Sequence, residues 1–215
     1  MGRFEQLKKY FNDKDSIDIP RQETEKGLFS PSDLDHVEYI LTRLAEKDIL
    51  DTSGLAADMG GGDGRVAAVF SQHKIYILSV EHDQVLHDIS RTHRTILRTN
   101  GVLNPEYITL AQGDFLEDEV YRRMNIPFES IKTFYNFKAS AHQERGLAEK
   151  IEHESPEGTI LILYNSVEFV PEYSWLRHIH SESLGRQRRK SSHESLLFDM
   201  YMHVFRKELW EKRDF

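Results

Sequence analysis

Cysteine is missing altogether, which removes a disulfide framework, a thiolate nucleophile and a cysteine metal site together. No stretch of about 18 apolar residues occurs, so no membrane-spanning helix is expected. Residues 1–10 carry charges throughout and lack an apolar core of signal-peptide length, which makes a cytoplasmic protein the expectation. Basic residues are the minority: 28 Lys and Arg stand against 36 Asp and Glu. The formal net charge of -8 argues against nucleic acid or an anionic membrane as the partner of the whole surface, though not against a local basic patch. The histidines form no His-x-x-x-His pair with a glutamate base, so no metal site is expected.

Hydrophobic residues make up 39% of the chain and charged residues 30%, the balance of a protein that buries a sizeable core. At 215 residues the chain suits one large domain over 27–215, preceded by an N-terminal helix and linker over 1–26. That domain is organised around residues 55–65, Leu-Ala-Ala-Asp-Met-Gly-Gly-Gly-Asp-Gly-Arg. The apolar run 55–59 suits a strand buried on both faces and 66–70 continues as a helix, so the order is strand, tight turn, helix. Gly60, Gly62 and Gly64 permit positive φ and would bring backbone N–H groups against a ligand. Their G-x-G-x-G spacing differs from the G-x-G-x-x-G that sets a pyrophosphate on a helix N-terminus. Asp58 repels a pyrophosphate and attracts the cationic amino group and sulfonium of S-adenosylmethionine. Taken alone, the same residues also suit an ordinary glycine-rich connection in a parallel sheet.

The next β-rich run, 75–80, ends at Glu81, where an acidic residue can accept both ribose hydroxyls of a nucleoside. Asp83 caps a long helix with Val85, Leu86, Ile89, Ile96 and Leu97 inward, and Gly101 ends it. A third strand over 107–111 leads into Gly113, Asp114 and Phe115. Asp114 can accept from an adenine amino group, and Phe115 can flank the ring. A fourth strand over 131–137 ends where a transferred group would lie. There Asn136 offers a carbonyl oxygen to an amine, and Tyr135 or Phe137 walls a channel. His142 is the nearest candidate base.

Residues 140–154 read as a helix and 158–165 as a fifth strand. Before the glycine loop, 3–11 reads as a short amphipathic helix, either a brace on the domain or a lid over substrate, 12–19 as a linker, and Ser30, Pro31 and Asp33 as the capped start of a helix, either simply well made or set over the cofactor's methionine end. Residues 175–183 and 195–206 read as an antiparallel hairpin joined by 185–192, whose four cations suit a solvated loop or a grip on an acidic partner. The alternation gives an α/β, Rossmann-like, mostly parallel seven-stranded sheet with helices on both faces and a C-terminal antiparallel hairpin.

Asp58-x-Gly60-x-Gly62-x-Gly64-Arg65, Glu81, Gly113-Asp114-Phe115 and Asn136-Phe137 resemble, in that order, the class I methyltransferases that use S-adenosylmethionine. Within them the chain is most similar to histone-lysine methyltransferases of the telomeric-silencing-disruptor type and their small prokaryotic protein-lysine relatives. It has Tyr135 where the histone enzymes commonly show a second asparagine. The resemblance implies S-adenosylmethionine as cofactor, held by Asp58, Gly60, Gly62, Gly64, Glu81, Asp114 and Phe115, with Asn136, Tyr135 and Phe137 at the methyl end. It implies a protein or small-molecule methyl acceptor, with a non-catalytic cofactor-binding protein as a further reading. No Asn-Pro-Pro-Tyr follows the fourth strand, so nucleic-acid amino methylation loses its main support at this level.

Overall fold

The computed structural model describes residues 1–17, 23–24, 27–137, 140–165, 173, 176–190 and 195–208. Helix α1 (Arg3–Ile17) opens the chain and α2 (Leu34–Glu46) leads to strand β1 (Leu55–Met59). There follow α3 (Arg65–Gln72), β2 (Ile77–Glu81), α4 (Gln84–Thr99), β3 (Ile108–Gln112), α5 (Asp118–Met124), β4 (Ile131–Phe137), α6 (Ala141–Glu154) and β5 (Ile160–Asn165). Two long strands, β6 (Leu176–Lys190) and β7 (Ser195–Lys207), end the described chain. No helix among the described residues is long and apolar enough to cross a membrane.

The sheet runs β3-β2-β1-β4-β5-β7-β6, with the first five parallel and β7 antiparallel to both neighbours. The mostly parallel seven-stranded sheet follows from the sequence, because strands covered on both faces read as unbroken apolar runs. β5, Ile-Leu-Ile-Leu-Tyr-Asn, is buried at every position. One core, on the side of α1, α2 and α3, takes Leu7, Phe11, Val37, Leu41, Phe70 and Tyr135. The other takes Leu78, Phe134, Leu147, Ile151 and Leu163 with α5 and α6. Chain order reverses between β1 and β4, which opens a crevice beyond their carboxyl ends.

Several local expectations shift. Residues 12–17 continue α1, whose Leu7 and Phe11 are fully buried, whereas 18–19 lie outside the described residues. The N-cap of α2 is Asp33, which accepts from the N–H groups of Asp35 and His36 at 2.9 and 3.2 Å, so Ser30 and Pro31 stay in the preceding loop. Asp83 does cap α4, accepting from Leu86 N–H at 3.0 Å, but Val85 is 52% exposed and the helix turns Ser90 and His93 inward. Tyr107 ends a short 3-10 turn before β3. Residues 185–190, read as part of the hairpin connection, are strand, with Lys190 paired to Ser195, and residues 174–175 and 191–194 lie outside the described residues.

Candidate functional site

A cleft with about 890 Å³ of free space, part of it open to solvent, lies at the β1/β4 switch point. Asp58, Met59, Gly60, Gly61 and Gly62 line it from β1 and its loop, Glu81 from β2, Asp114 and Phe115 from beyond β3, and Asn136 and Phe137 from β4. Phe29, Ser30, Pro31 and Ser32 close one side, ahead of α2. The residues expected to hold a cofactor therefore converge on one cleft, except that Gly64 lies just behind its lining. Arg65, which closes the glycine motif, also lines the cleft, and Phe29, Asp63 and Gln143 join the lining without a sequence signal that singles them out.

The glycine loop works differently from the expectation. Its N–H groups face inward: Gly60 and Gly61 donate to Val80 O at 3.0 and 2.9 Å, Gly62 donates to Glu81 Oε2 at 2.7 Å, and Gly64 donates to Gly61 O at 2.9 Å. These N–H groups are paired within the protein. Gly60 has open space where a Cβ would lie, whereas Gly61, Gly62 and Gly64 serve close packing. Gly62, at φ +53°, shows this: a Cβ there would come within 2.5 Å of the Phe29 ring. Gly62→Ala should lose about 1–3 kcal/mol of stability from the left-handed backbone alone and displace Phe29 from the cleft. Chemical denaturation and the intensity of cofactor-induced protection from proteolysis would read both effects.

Asp63 occupies the start of α3, where its Oδ1 faces the Arg65 N–H at 3.3 Å. A carboxylate already fills the position that a dinucleotide's pyrophosphate takes on a helix N-terminus. Arg65 clasps Asp63 through Nε and Nη2, at 3.0 and 2.7 Å, and Asp15 of α1 through Nη1 and Nη2, at 3.0 and 2.7 Å. Its guanidinium lies 4.9 Å from the centre of the Phe11 ring. Burial disfavours the Arg65 charge, and Asp63 and Asp15 outweigh that, holding its pKa above the usual value. The N-terminal helix is thus bolted to the loop, and no α1 residue lines the cleft.

Asp58 is 2% exposed, and burial pushes its carboxyl up to about 7 despite the Ser79 hydroxyl, which donates at 3.3 Å. Burial likewise raises Glu81, against the N–H groups of Asp83 and Gly62, which donate to it at 2.7 Å each. Two buried acidic groups whose ionisation the cleft disfavours suit a ligand that brings compensating positive charge and hydroxyl donors. Asp114 Oδ1 accepts from Leu116 N–H at 3.0 Å, and Phe115 is buried at its side.

At the other end, Asn136 Nδ2 donates to Met59 O at 2.6 Å, tying β4 to β1. Asn136 Oδ1 is buried without a hydrogen-bond partner among the described residues. Phe137 stacks on Tyr164 with centroids 4.7 Å apart. Tyr135 sits apart from this group: fully buried, it packs edge-on to Phe70 in the core and does not line the cleft. His142 is exposed on the first turn of α6, and the neighbouring Gln143 lines the cleft instead.

No protein-family model and no curated protein matches the chain. Solved structures do. A proposed RNA methyltransferase of Pyrococcus horikoshii superposes with a TM-score of 0.63 at 11% identity over 97% of this chain and 100% of its own. An RNA methyltransferase of Salinibacter ruber, solved with S-adenosyl-L-homocysteine, gives 0.55 at 15% identity over 86% and 98%. A precorrin-6y C5,15-methyltransferase of Geobacter metallireducens gives 0.56 at 11% over 92% and 96%. The chain has the Rossmann-like fold that these methyltransferases share.

Proposed function

We propose that the chain is an S-adenosylmethionine-dependent methyltransferase whose acceptor is an amine nitrogen. The cleft's chemistry fits the cofactor. Asp58 offers a carboxylate to a cationic amino-acid end, and the Asp63 carboxylate just ahead of α3 opposes phosphates there. The Glu81 carboxylate uses two of its roughly four acceptor sites on Gly62 and Asp83, which leaves capacity for two ribose hydroxyls. Asp114 and Phe115 line the same cleft, which supports an adenine site beside them. When bound, the cofactor supplies an electrophilic methyl carbon and a neutral thioether leaving group.

The observation that carries the choice of acceptor is Asn136 Oδ1, buried in the cleft wall with no hydrogen-bond partner among the described residues. An N–H of an incoming amine satisfies it, and the bond orients the nitrogen lone pair. Should the amine be a protein lysine, as the finer resemblance implies, the apolar wall of Phe137 on Tyr164 favours its neutral form. Asn136→Ala should lower kcat by about 100-fold, a misalignment-sized loss, while cofactor affinity stays within about twofold. The test is incubation of the protein and of Asn136→Ala with methyl-labelled S-adenosylmethionine and cell extract, then separation of protein, nucleic acid and small solutes. Label in any fraction that the variant fails to produce supports the reading, and no label in any fraction overturns it.

A further inference from the structure

The turn after β3 lies on α5 and is held by that helix at both ends. Arg123 Nη2 donates to Gln112 O at 2.5 Å, and the Tyr121 hydroxyl donates to Phe115 O at 2.5 Å. Between these two bonds Gly113 is pressed against the helix, because at φ +147° a Cβ there would come within 2.5 Å of Val120 Cγ2. The turn is also tied to the end of β2. Gly113 N–H donates to Glu81 O at 2.9 Å, and Gln112 Nε2 donates to His82 O at 3.0 Å. Asp114 therefore rides on a stretch whose backbone is fixed on two sides.

Tyr121 faces two ways. It is 3% exposed and lies outside the lining of the cleft, and its ring instead lines a second cavity with Phe128, edge-on at 5.0 Å. Lys150 of α6 steadies the aromatic pair, with Nζ 4.8 Å from the Phe128 centroid and 5.7 Å from that of Tyr121, while it pairs with Asp118 and, at 2.9 Å, with Glu154. The Tyr121 hydroxyl points the other way, to two residues that do line the cleft: the Phe115 carbonyl and, at 3.7 Å, Met59 Sδ on β1. Burial holds its pKa above the usual phenol range, so it stays a donor.

We propose that Tyr121 is a positioning residue that sets the cleft's preference for adenine, fixing the Asp114–Phe115 segment against β1 so that Asp114 meets an exocyclic amino group. The proposal rests on the S-adenosylmethionine reading of the cleft. A carboxylate accepts from that amino group, whereas an oxo group in its place turns one acceptor on another. Rejection of the oxo base requires that the carboxylate be held where only a donor satisfies it, and Tyr121 supplies that hold from behind the cleft.

The experiment is calorimetric titration of the whole chain with S-adenosylhomocysteine and with S-inosylhomocysteine, in which an oxo group replaces the amino group. The parent should prefer the adenine ligand by about 10- to 100-fold, the worth of one charge-assisted hydrogen bond. Tyr121→Phe keeps the ring and loses only the hydroxyl. It should weaken the adenine ligand about tenfold and the oxo ligand by less than about twofold, so most of the preference goes. Phe128→Leu loosens the same core and keeps the hydroxyl, so it should lower stability and leave the preference unchanged. Should Tyr121→Phe retain the parent's preference, or Phe128→Leu lose it equally, Tyr121 only packs, and the proposal is overturned while the cofactor reading stands. Equal binding of the two ligands by the parent overturns it in the same way. Binding of neither ligand overturns the cofactor reading itself and the proposal with it.

Discussion

Asp58→Asn is expected to weaken S-adenosylmethionine binding by one to two orders of magnitude and, without the ligand, to make the protein more stable above pH 7. The loss follows from removing a buried anion from a cationic ligand, a charge-assisted contact worth about 1.5–3 kcal/mol. The gain follows from the pKa. Burial raises the Asp58 carboxyl to about 7. In the unfolded chain it titrates near 3.9. The folded state therefore holds a proton that the unfolded state gives up between these values, and stability falls as pH rises across that window. Below about pH 4 the variant and the parent should unfold alike, and above pH 7 the variant should lead, by up to about 4 kcal/mol at roughly 1.4 kcal/mol per pKa unit. Parent affinity for the cofactor should rise roughly fivefold from pH 6 to pH 7 as the competent, ionised fraction grows, and Asp58→Asn should show no such rise. Denaturant melts and calorimetric titrations at several pH values check both halves. A variant that destabilises the free protein at pH 8 would contradict the account of Asp58 as a strained, ligand-directed charge.

Arg65→Ala should cost about 3–5 kcal/mol, the effect of leaving a buried carboxylate without its partner. The Asp63 side chain is 2% exposed and Arg65 5%, so water replaces little of what is lost. Asp15, at 37%, is rehydrated more readily. For a chain of this size the melting temperature should fall by roughly 10 °C. Asp63→Ala in the same background should restore part of the loss, because it removes the orphaned charge. The bolt joins α1 to the cofactor loop, so the single variant should also raise the cofactor dissociation constant, and Asp15→Ala should do so more mildly. A double-mutant cycle on Arg65 and Asp15 that shows no coupling, in stability or in affinity, would contradict the bolt.

Much of the fold was legible because its physics is local. Strands covered on both faces read as apolar runs, and the glycines after Met59 mark the turn at which a parallel strand gives way to a helix. The cleft's membership was legible too, since strand ends in such sheets converge on a switch point. What the sequence hides is direction and distance. Nothing in Gly-Gly-Gly-Asp-Gly tells that the N–H groups turn inward to Val80 and Glu81. Arg65 meets Asp15 across 50 positions of chain, beyond the reach of any periodicity. Tyr135 is a different case: strand alternation already implies that consecutive Tyr135 and Asn136 take opposite sides, and the core claims the tyrosine. Cations in 185–192 resemble a loop by composition, yet β7 supplies a pairing partner for 185–190 and extends the strand.

The most direct measurement is calorimetric titration of the purified chain with S-adenosylmethionine at pH 7, in two buffers of different ionisation enthalpy. The account predicts one site per chain and release of up to about half a proton, since ligand charge draws Asp58 into its ionised form. Absence of binding, or binding of a nicotinamide dinucleotide in its place, would contradict it.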